Sequence, residues 1–94
     1  MFTPFDTIRY VYYVYVLLSR NNKDVYIGFT SDLRKRLLQH NSRNVRATKD
    51  NLPWTLVYYE AYKAKHDAIM RERQLKNHKA KKDLKVQIKN SLME

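Results

Sequence analysis

The chain has no cysteine, one glycine and two prolines among its 94 residues. Without cysteine the fold holds neither a disulfide nor a thiolate metal site, and three scattered histidines argue against structural zinc. The longest apolar run, residues 10–18, is far shorter than the roughly 20 residues that cross a bilayer as a helix. These absences exclude a disulfide-rich scaffold, a zinc-stabilised module and a membrane-spanning helix.

Acidic residues are also scarce, because 9 Asp and Glu stand against 19 Lys and Arg and give a formal net charge of +10. This excess predicts a polyanionic partner. The alternative is a highly soluble basic surface, as small ribosome-associated proteins have. Apolar residues make up 44% of the chain, which is enough for a core and too much for wholesale disorder.

The length fits one domain, which we expect to span residues 10–94. Residues 1–9 carry Pro4 and show no clear period, so we expect a flexible, poorly ordered segment there. The first ten residues, MFTPFDTIRY, lack a basic stretch followed by an apolar one. They therefore predict no secretion signal, and we expect a cytoplasmic protein.

The hydrophobic pattern predicts a mixed fold. Residues 10–18 (YVYYVYVLL) are mostly β-branched or aromatic and apolar at both parities, which predicts a central strand buried on both faces. A short polar connection leads to a second strand, so the two form an antiparallel hairpin. Thr30, Ser31 and Asp32 are N-cap candidates for the next helix. The predicted elements are strands 10–18, 25–29 and 54–63, and helices 32–41, 66–77 and 79–92. This β-β-α-β-α-α order predicts an α+β fold, a small three-stranded antiparallel sheet covered by helices.

Two polar side chains lie beside the apolar stripe of the first predicted helix. A pair of leucines four residues apart marks this stripe, and Arg36 and His40 each follow a leucine by three residues. Arg36 and His40 can therefore converge on one target, whereas Arg34 and Lys35 point away. The alternative is an arginine at the helix edge and a C-terminal histidine that favours the helix dipole.

Glu72 lies on the apolar face of the next predicted helix, three or four positions from Ala68, Ile69 and Leu75. A carboxylate in a buried stripe is unfavourable unless it is paired or binds a metal. The sequence leaves open whether Glu72 is a metal ligand or the partner of a nearby arginine in a structural ion pair.

Eight tyrosines are expected mostly to pack in the core and on the sheet. Tyr15 and Tyr26 share a face if the hairpin pairs odd with even positions, which a turn centred on Asn21 and Asn22 produces. Asparagine tolerates the left-handed geometry of such a turn. Gly28, the only glycine, ends the second strand and marks a bulge or a close backbone approach, consistent with a substrate across the strand end.

Together these residues resemble the GIY-YIG nuclease domain, in particular small single-domain members related to the N-terminal domain of the excision-repair endonuclease subunit. Tyr13-Val14-Tyr15 is similar to the first motif, with tyrosine in place of its glycine, and Tyr26-Ile27-Gly28 is the second motif intact. The segment PWTLVYYE resembles the third strand of the family. The family's later site residues match Arg36, His40 and Glu72. The likeness covers residues 10–84, and Leu84 stands where more distant members carry an asparagine.

The resemblance implies metal-dependent cleavage of phosphodiester bonds. Glu72 would hold one Mg²⁺ or Mn²⁺ ion, since one carboxylate with waters suits such a cation. Arg36 would donate to the scissile phosphate. Tyr15, Tyr26 and His40 each remain candidates to orient or deprotonate the attacking water.

The implied partner is nucleic acid, DNA rather than RNA, and the implied role is DNA repair or processing. A second hypothesis is a non-catalytic nucleic-acid-binding module on a nuclease scaffold, and a third is a purely structural basic protein. In the first two, the loop at residues 43–49 and the segment at residues 76–85 contact phosphates. The residues expected to do so are Arg43, Arg46, Lys49, Lys76, Lys79, Lys81 and Lys82.

Overall fold

A computed structural model describes residues 11–94 and contains a three-stranded antiparallel sheet. β1 (Tyr12–Ser19) lies between β2 (Val25–Thr30) and β3 (Trp54–Tyr62), and six of its eight residues are buried. The predicted central strand is therefore confirmed. The helices are α1 (Leu33–Asn41), α2 (Lys65–Leu75), α3 (His78–Gln87) and α4 (Lys89–Met93). The prediction for residues 1–9 lies outside the described residues.

Helices cover both faces of the sheet. Tyr15, Leu17 and Trp54 form a buried cluster beneath α1, and Val14 and Val16 belong to a second cluster on the opposite face. The second cluster also contains Ile27, Ala68, Leu75, Leu84 and Ile88. Because β1 contributes to both clusters, the sheet is the middle layer of three, and the predicted α+β fold is confirmed. Among residues 11–94, no helix is long and apolar enough to cross a membrane.

The hairpin has the register that the sequence required. Tyr15 pairs with Gly28 and Leu17 pairs with Tyr26, so odd positions of β1 face even positions of β2. Tyr15 and Tyr26 therefore share a face. The left-handed residue of the turn is Lys23, with φ 67°, and not an asparagine. Nearby, the side-chain oxygen of Asn22 accepts a hydrogen bond from the N–H of Asp24 at 3.0 Å, as in an Asx turn.

β3 changes its alternation at Val57. Tyr58 pairs with Val16, whereas Leu56 pairs with Leu17, so Val57 is an extra residue in a β-bulge. Even-numbered residues face α1 before the bulge and α2 after it. Glu60 consequently faces α2.

The prediction of one helix over residues 79–92 is wrong. The chain leaves helical geometry at Ile88, with φ −106° and ψ 24°, and resumes in α4. The break places Ile88 in the core while Leu92 also packs against it. Asn77, expected at the end of a helix, instead begins the next one, because its side chain accepts hydrogen bonds from the N–H groups of Lys79 and Ala80.

Candidate functional site

The ring of Tyr15 lies across Gly28, its partner in the neighbouring strand. A Cβ atom built at Gly28 would overlap the Tyr15 hydroxyl and the carbon that bears it. The close approach expected at this glycine is thus made by a protein side chain. Because Gly28 has no Cβ atom, the side chain of Tyr15 can extend over β2 at this position.

His40 holds the other side of the Tyr15 hydroxyl. Its Nε2 lies 2.8 Å from Tyr15 Oη, and its Nδ1 lies 2.8 Å from Thr48 Oγ1. Thr48 also donates to the Val45 carbonyl, so we assign Thr48 as acceptor from Nδ1–H and Nε2 as acceptor from Tyr15. The Tyr15 proton then points to His40, and the lone pairs of its oxygen remain to accept hydrogen bonds from other donors.

His40 was expected to project towards a phosphate, but it is fully buried, with 0% of its surface exposed. Burial, and secondarily the charge of Arg36, lowers the pKa of His40 to about 4. His40 is therefore neutral near pH 7 and contacts Tyr15 and Tyr26 with its ring. Direct contact of His40 with an attacking water does not fit this placement.

Arg36 reaches the outward side of Tyr15. Its Nε donates to Tyr15 Oη at 3.3 Å, and Gln39 accepts from its Nη1 at 3.0 Å. Arg36 also lines an open pocket of about 470 Å³ at the start of α1. Lys35 lines the same open pocket and is exposed, away from the apolar stripe of α1. Asp32 caps α1 by accepting a hydrogen bond from the Lys35 N–H. Asp32 also lines this pocket, so the pocket lies at the N-terminal turn of α1.

Tyr26, Arg36 and Glu72 are all close enough to Tyr15 to affect its ionisation. Burial raises the pKa of Tyr15, the Arg36 hydrogen bond lowers it, and the charges of Tyr26 and Glu72 raise it further. The Tyr26 hydroxyl also helps to raise the pKa of Arg36. Charged and phenolic side chains from β2, α1 and α2 therefore act electrostatically on the Tyr15 hydroxyl of β1, and Arg36 of α1 also binds it directly.

Glu72 is half-buried and has no hydrogen-bond or ion-pair partner among residues 11–94. The predicted alternative, an ion pair between Glu72 and a nearby arginine, is not formed. Arg71 turns instead to Glu60 on β3, with its Nε 2.8 Å from Oε1 and its Nη2 2.9 Å from Oε2. The Glu72 carboxylate is left available to a ligand.

The structure contains a cluster around Glu60 that the sequence analysis did not predict. Tyr58 and Tyr62 donate to its carboxylate in addition to Arg71. Burial acts to raise the pKa of Glu60, but these hydrogen bonds outweigh it and hold the pKa at about 2. The alternation of tyrosine and glutamate over residues 58–62 was a usable signal, because it places all three side chains on one face of a strand.

The loop between α1 and β3 makes buried contacts that the sequence analysis did not predict. Thr48 is fully buried, and its carbonyl accepts from Trp54 Nε1 at 2.8 Å. Asn41 bridges the end of α1 to the start of β3, because its amide donates to the Trp54 carbonyl and accepts from the Trp54 N–H. The loop thereby holds Thr48 in place against Nδ1 of His40.

The seven basic residues expected at phosphates fall into two groups. Lys76 donates to the Ile27 carbonyl at 2.7 Å and lies 5.4 Å from the centre of the Tyr26 ring. Arg43 donates to the Lys49 carbonyl, and Lys79 pairs with Asp83 at 3.3 Å. The basic side chains that lie largely at the surface without such contacts are Arg46, Lys49, Lys81 and Lys82. Lys81 and Lys82 line a small basic pocket with His78 and Lys85.

Comparison with known proteins identifies relatives of this chain. The GIY-YIG catalytic domain family matches residues 11–85 of this chain. A UPF0213 protein of Streptococcus pyogenes serotype M5 (strain Manfredo) is 39% identical over 70 residues, which cover 73% of this chain and 75% of the relative. A UPF0213 protein of serotype M3 (strain SSI-1) has the same identity and coverage.

The solution NMR structure of the UPF0213 protein BH0048 from Bacillus halodurans is similar in fold, with a TM-score of 0.51 and 28% identity. The similarity covers 79% of this chain and 81% of that one. The names of these relatives state no activity. The resemblance found in the sequence is confirmed, and the chain belongs to the GIY-YIG catalytic domain family.

Proposed function

We propose that this protein is a metal-dependent endonuclease that cleaves phosphodiester bonds in nucleic acid. The observation that carries the proposal is the Tyr15 hydroxyl, held by His40 and Arg36 over Gly28 with the unpaired Glu72 carboxylate nearby. A phosphoryl-transfer site needs an oriented water, a cation at the phosphate and a carboxylate for a metal ion. In the proposal Tyr15 would orient the water, Arg36 would be the cation and Glu72 would be the carboxylate.

In this proposal Tyr15 orients the attacking water. Its proton points to His40 and one lone pair of its oxygen accepts from Arg36, so the water would have to use the remaining lone pair beside Arg36. His40 is a weak base with a pKa of about 4, so it acts by positioning Tyr15. Arg36 binds the scissile phosphate through guanidinium N–H groups, and Tyr26 supplies a second phenol beside it.

Glu72 fits a role as ligand of one Mg²⁺ or Mn²⁺ ion. Among residues 11–94, no group of three His, Cys, Asp or Glu side chains could hold a metal, and the proposal assigns the ion to the Glu72 carboxylate with waters. Mg²⁺ commonly keeps several waters and binds one or two carboxylates together with substrate phosphates. When bound, the ion would supply positive charge to the phosphate as negative charge develops there.

The proposed substrate is DNA rather than RNA, and the proposed role is DNA repair or processing in the cytoplasm. We assign phosphate contacts to the exposed Arg46, Lys49 and Lys82 and to the half-buried Lys81. A non-catalytic binding module is the second candidate. It is favoured by Leu84, which fills the core at 3% exposure where more distant members of the family carry an asparagine.

A cleavage assay tests the proposal. Plasmid, flap, junction and structured RNA substrates are incubated with Mg²⁺, with Mn²⁺ and with EDTA. Arg36→Gln is expected to lower the cleavage rate roughly 10²- to 10³-fold, as does removal of other groups that stabilise transition-state charge. Arg34→Gln, with the same change of charge on the exposed side of α1, should cleave like the wild type. A wild type that cleaves nothing with either metal would leave the binding module as the function.

A further inference from the structure

The face of the sheet that carries Tyr15 extends beyond the cover of α1. Tyr59 is the direct partner of Tyr15 across β1 and β3, so both side chains lie on this face. Tyr13 meets the Tyr59 ring edge-on, with ring centres 5.7 Å apart and planes at 72°. The pair forms an aromatic ledge beside the candidate site.

Tyr59 differs from the other tyrosines of residues 11–94. It is 51% exposed, whereas each of the other six is buried or half-buried. Tyr12 stacks on Phe29, and the hydroxyls of Tyr58 and Tyr62 bind Glu60. Since the edge of Tyr13 braces only one side of the ring, Tyr59 keeps an aromatic surface open to solvent.

The aromatic ledge lies a short distance from the Tyr15 hydroxyl and from Arg36, the proposed phosphate ligand. The Tyr15 hydroxyl lies over β2, and Tyr59 lies on β3, so two strand spacings separate them, about 10 Å. A strand whose phosphate binds Arg36 can therefore place a neighbouring base on Tyr59, provided that the base is not paired. A fully paired duplex holds its bases in the stack and cannot do so.

We propose that Tyr59, braced by Tyr13, is a stacking platform for an unpaired nucleobase. The inference rests on the proposed nuclease function and narrows its substrate class to nucleic acid with single-stranded nucleotides at the site of cleavage. The net charge of +10 of the chain favours a polyanion as its partner, and it disfavours a second copy of the same basic chain. Stacking on an aromatic side chain tolerates every base, since each has a flat π-surface.

The experiment measures binding in EDTA, so that cleavage plays no part. Three fluorescein-labelled ligands are compared: a short oligothymidylate, the same strand with its bases removed, and a blunt duplex of equal charge. The wild type should bind the base-bearing strand roughly ten- to hundredfold more tightly than the abasic strand. Tyr59→Leu should abolish this ratio, and Tyr59→Phe, which keeps the ring, should retain it. Leu38→Ala is the matched control, because Leu38 is also an exposed apolar residue, on α1.

The platform would be overturned if the wild type bound the base-bearing and the abasic strand with equal affinity. It would also be overturned if Tyr59→Leu kept the wild-type ratio of these two affinities. A change in sedimentation caused by Tyr59→Leu, with binding unchanged, would show an interface between copies and would overturn it as well. These outcomes are independent of the proposed function. If the wild type prefers the base-bearing strand but never cleaves, the stacking platform is supported and the nuclease function is contradicted. If it cleaves but binds both strands equally, the nuclease function is supported and the platform is contradicted.

Discussion

The aromatic ring of Tyr15 occupies the space that a side chain at Gly28 would fill. The two residues are direct partners in the β1–β2 hairpin, so the glycine and the tyrosine depend on each other. This pairing explains why the second motif ends in glycine: without a Cβ atom, β2 lets the Tyr15 hydroxyl reach His40 and Arg36.

Gly28→Ala is expected to destabilise the protein by about 1–3 kcal/mol, because the new methyl group overlaps a ring that two hydrogen bonds hold in place. Tyr15→Leu in the same chain should recover much of this stability by removing the overlapping atoms, with a coupling energy of about 1–2 kcal/mol. Urea denaturation of the two single variants and the double variant measures the coupling. Additive effects would show that the overlap does not determine the position of Tyr15.

Glu72→Gln and Glu60→Gln make the same chemical change with opposite expected results. Glu72 has no partner among residues 11–94, so its variant should unfold within about 0.5 kcal/mol of the wild type in the absence of metal. It should lose metal-dependent cleavage and any stabilisation by added Mg²⁺. Thermal melts with and without Mg²⁺, alongside the cleavage assay, test both points. A Glu72→Gln protein that still cleaves would contradict the assignment as metal ligand.

Glu60→Gln should lower stability by up to about 3 kcal/mol at pH 7, because Arg71 loses its charged partner. The pKa of Glu60 is lowered to about 2 from 4.5, so the contribution is present above pH 4.5 and disappears as the pH falls towards 2. Unfolding free energies of wild type and variant should therefore converge at low pH. A constant difference across this range would mean that the Glu60 charge does not stabilise the fold.

His40 gives stability a different pH dependence. Its pKa is lowered to about 4 from 6.5, so between these values the unfolded chain binds a proton that the folded chain does not. The wild type should lose about 3 kcal/mol as the pH falls from 6.5 to 4, and His40→Gln should not show this loss. NMR titration of the His40 ring in the wild type provides a check that needs no variant. An inflection near pH 6.5 would contradict the burial of a neutral imidazole.

Nucleic-acid affinity should fall steeply with salt. Contacts from the four surface cations Arg46, Lys49, Lys81 and Lys82 predict a slope of about −3.6 in log affinity against log salt on a duplex, or roughly a hundredfold loss between 50 and 200 mM. Lys82→Gln should reduce the slope by about 1. Lys79→Gln, on the same helix but paired with Asp83, should leave the slope nearly unchanged. A slope that Lys82→Gln leaves unchanged would show that this part of α3 does not contact the phosphates as proposed.

The sequence by itself determined the elements that local patterns encode. The apolar run of β1 at both parities required a central strand, and the short polar turn required an antiparallel hairpin with odd positions facing even ones. Thr30, Ser31 and Asp32 were N-cap candidates, and Asp32 is the one whose side chain accepts from an N–H at the start of α1. Helix spacing placed Arg36 beside the apolar stripe, strand spacing placed Tyr15 and Tyr26 on one face for the register that forms, and the family resemblance selected them as site residues.

Only the tertiary structure decided which partner each polar side chain meets. Arg71 could have paired with Glu72, its neighbour in sequence, but the bulge at Val57 turns Glu60 towards α2 and satisfies the arginine there. His40 became a buried neutral residue because a loop with no apolar period folds back and places Thr48 against its ring. Such contacts join residues that are distant along the chain. Their energies depend on burial and geometry, which the local hydrophobic periodicity of the sequence does not predict. For this reason the sequence located the groups of the candidate site, while their charges and contacts were set by packing.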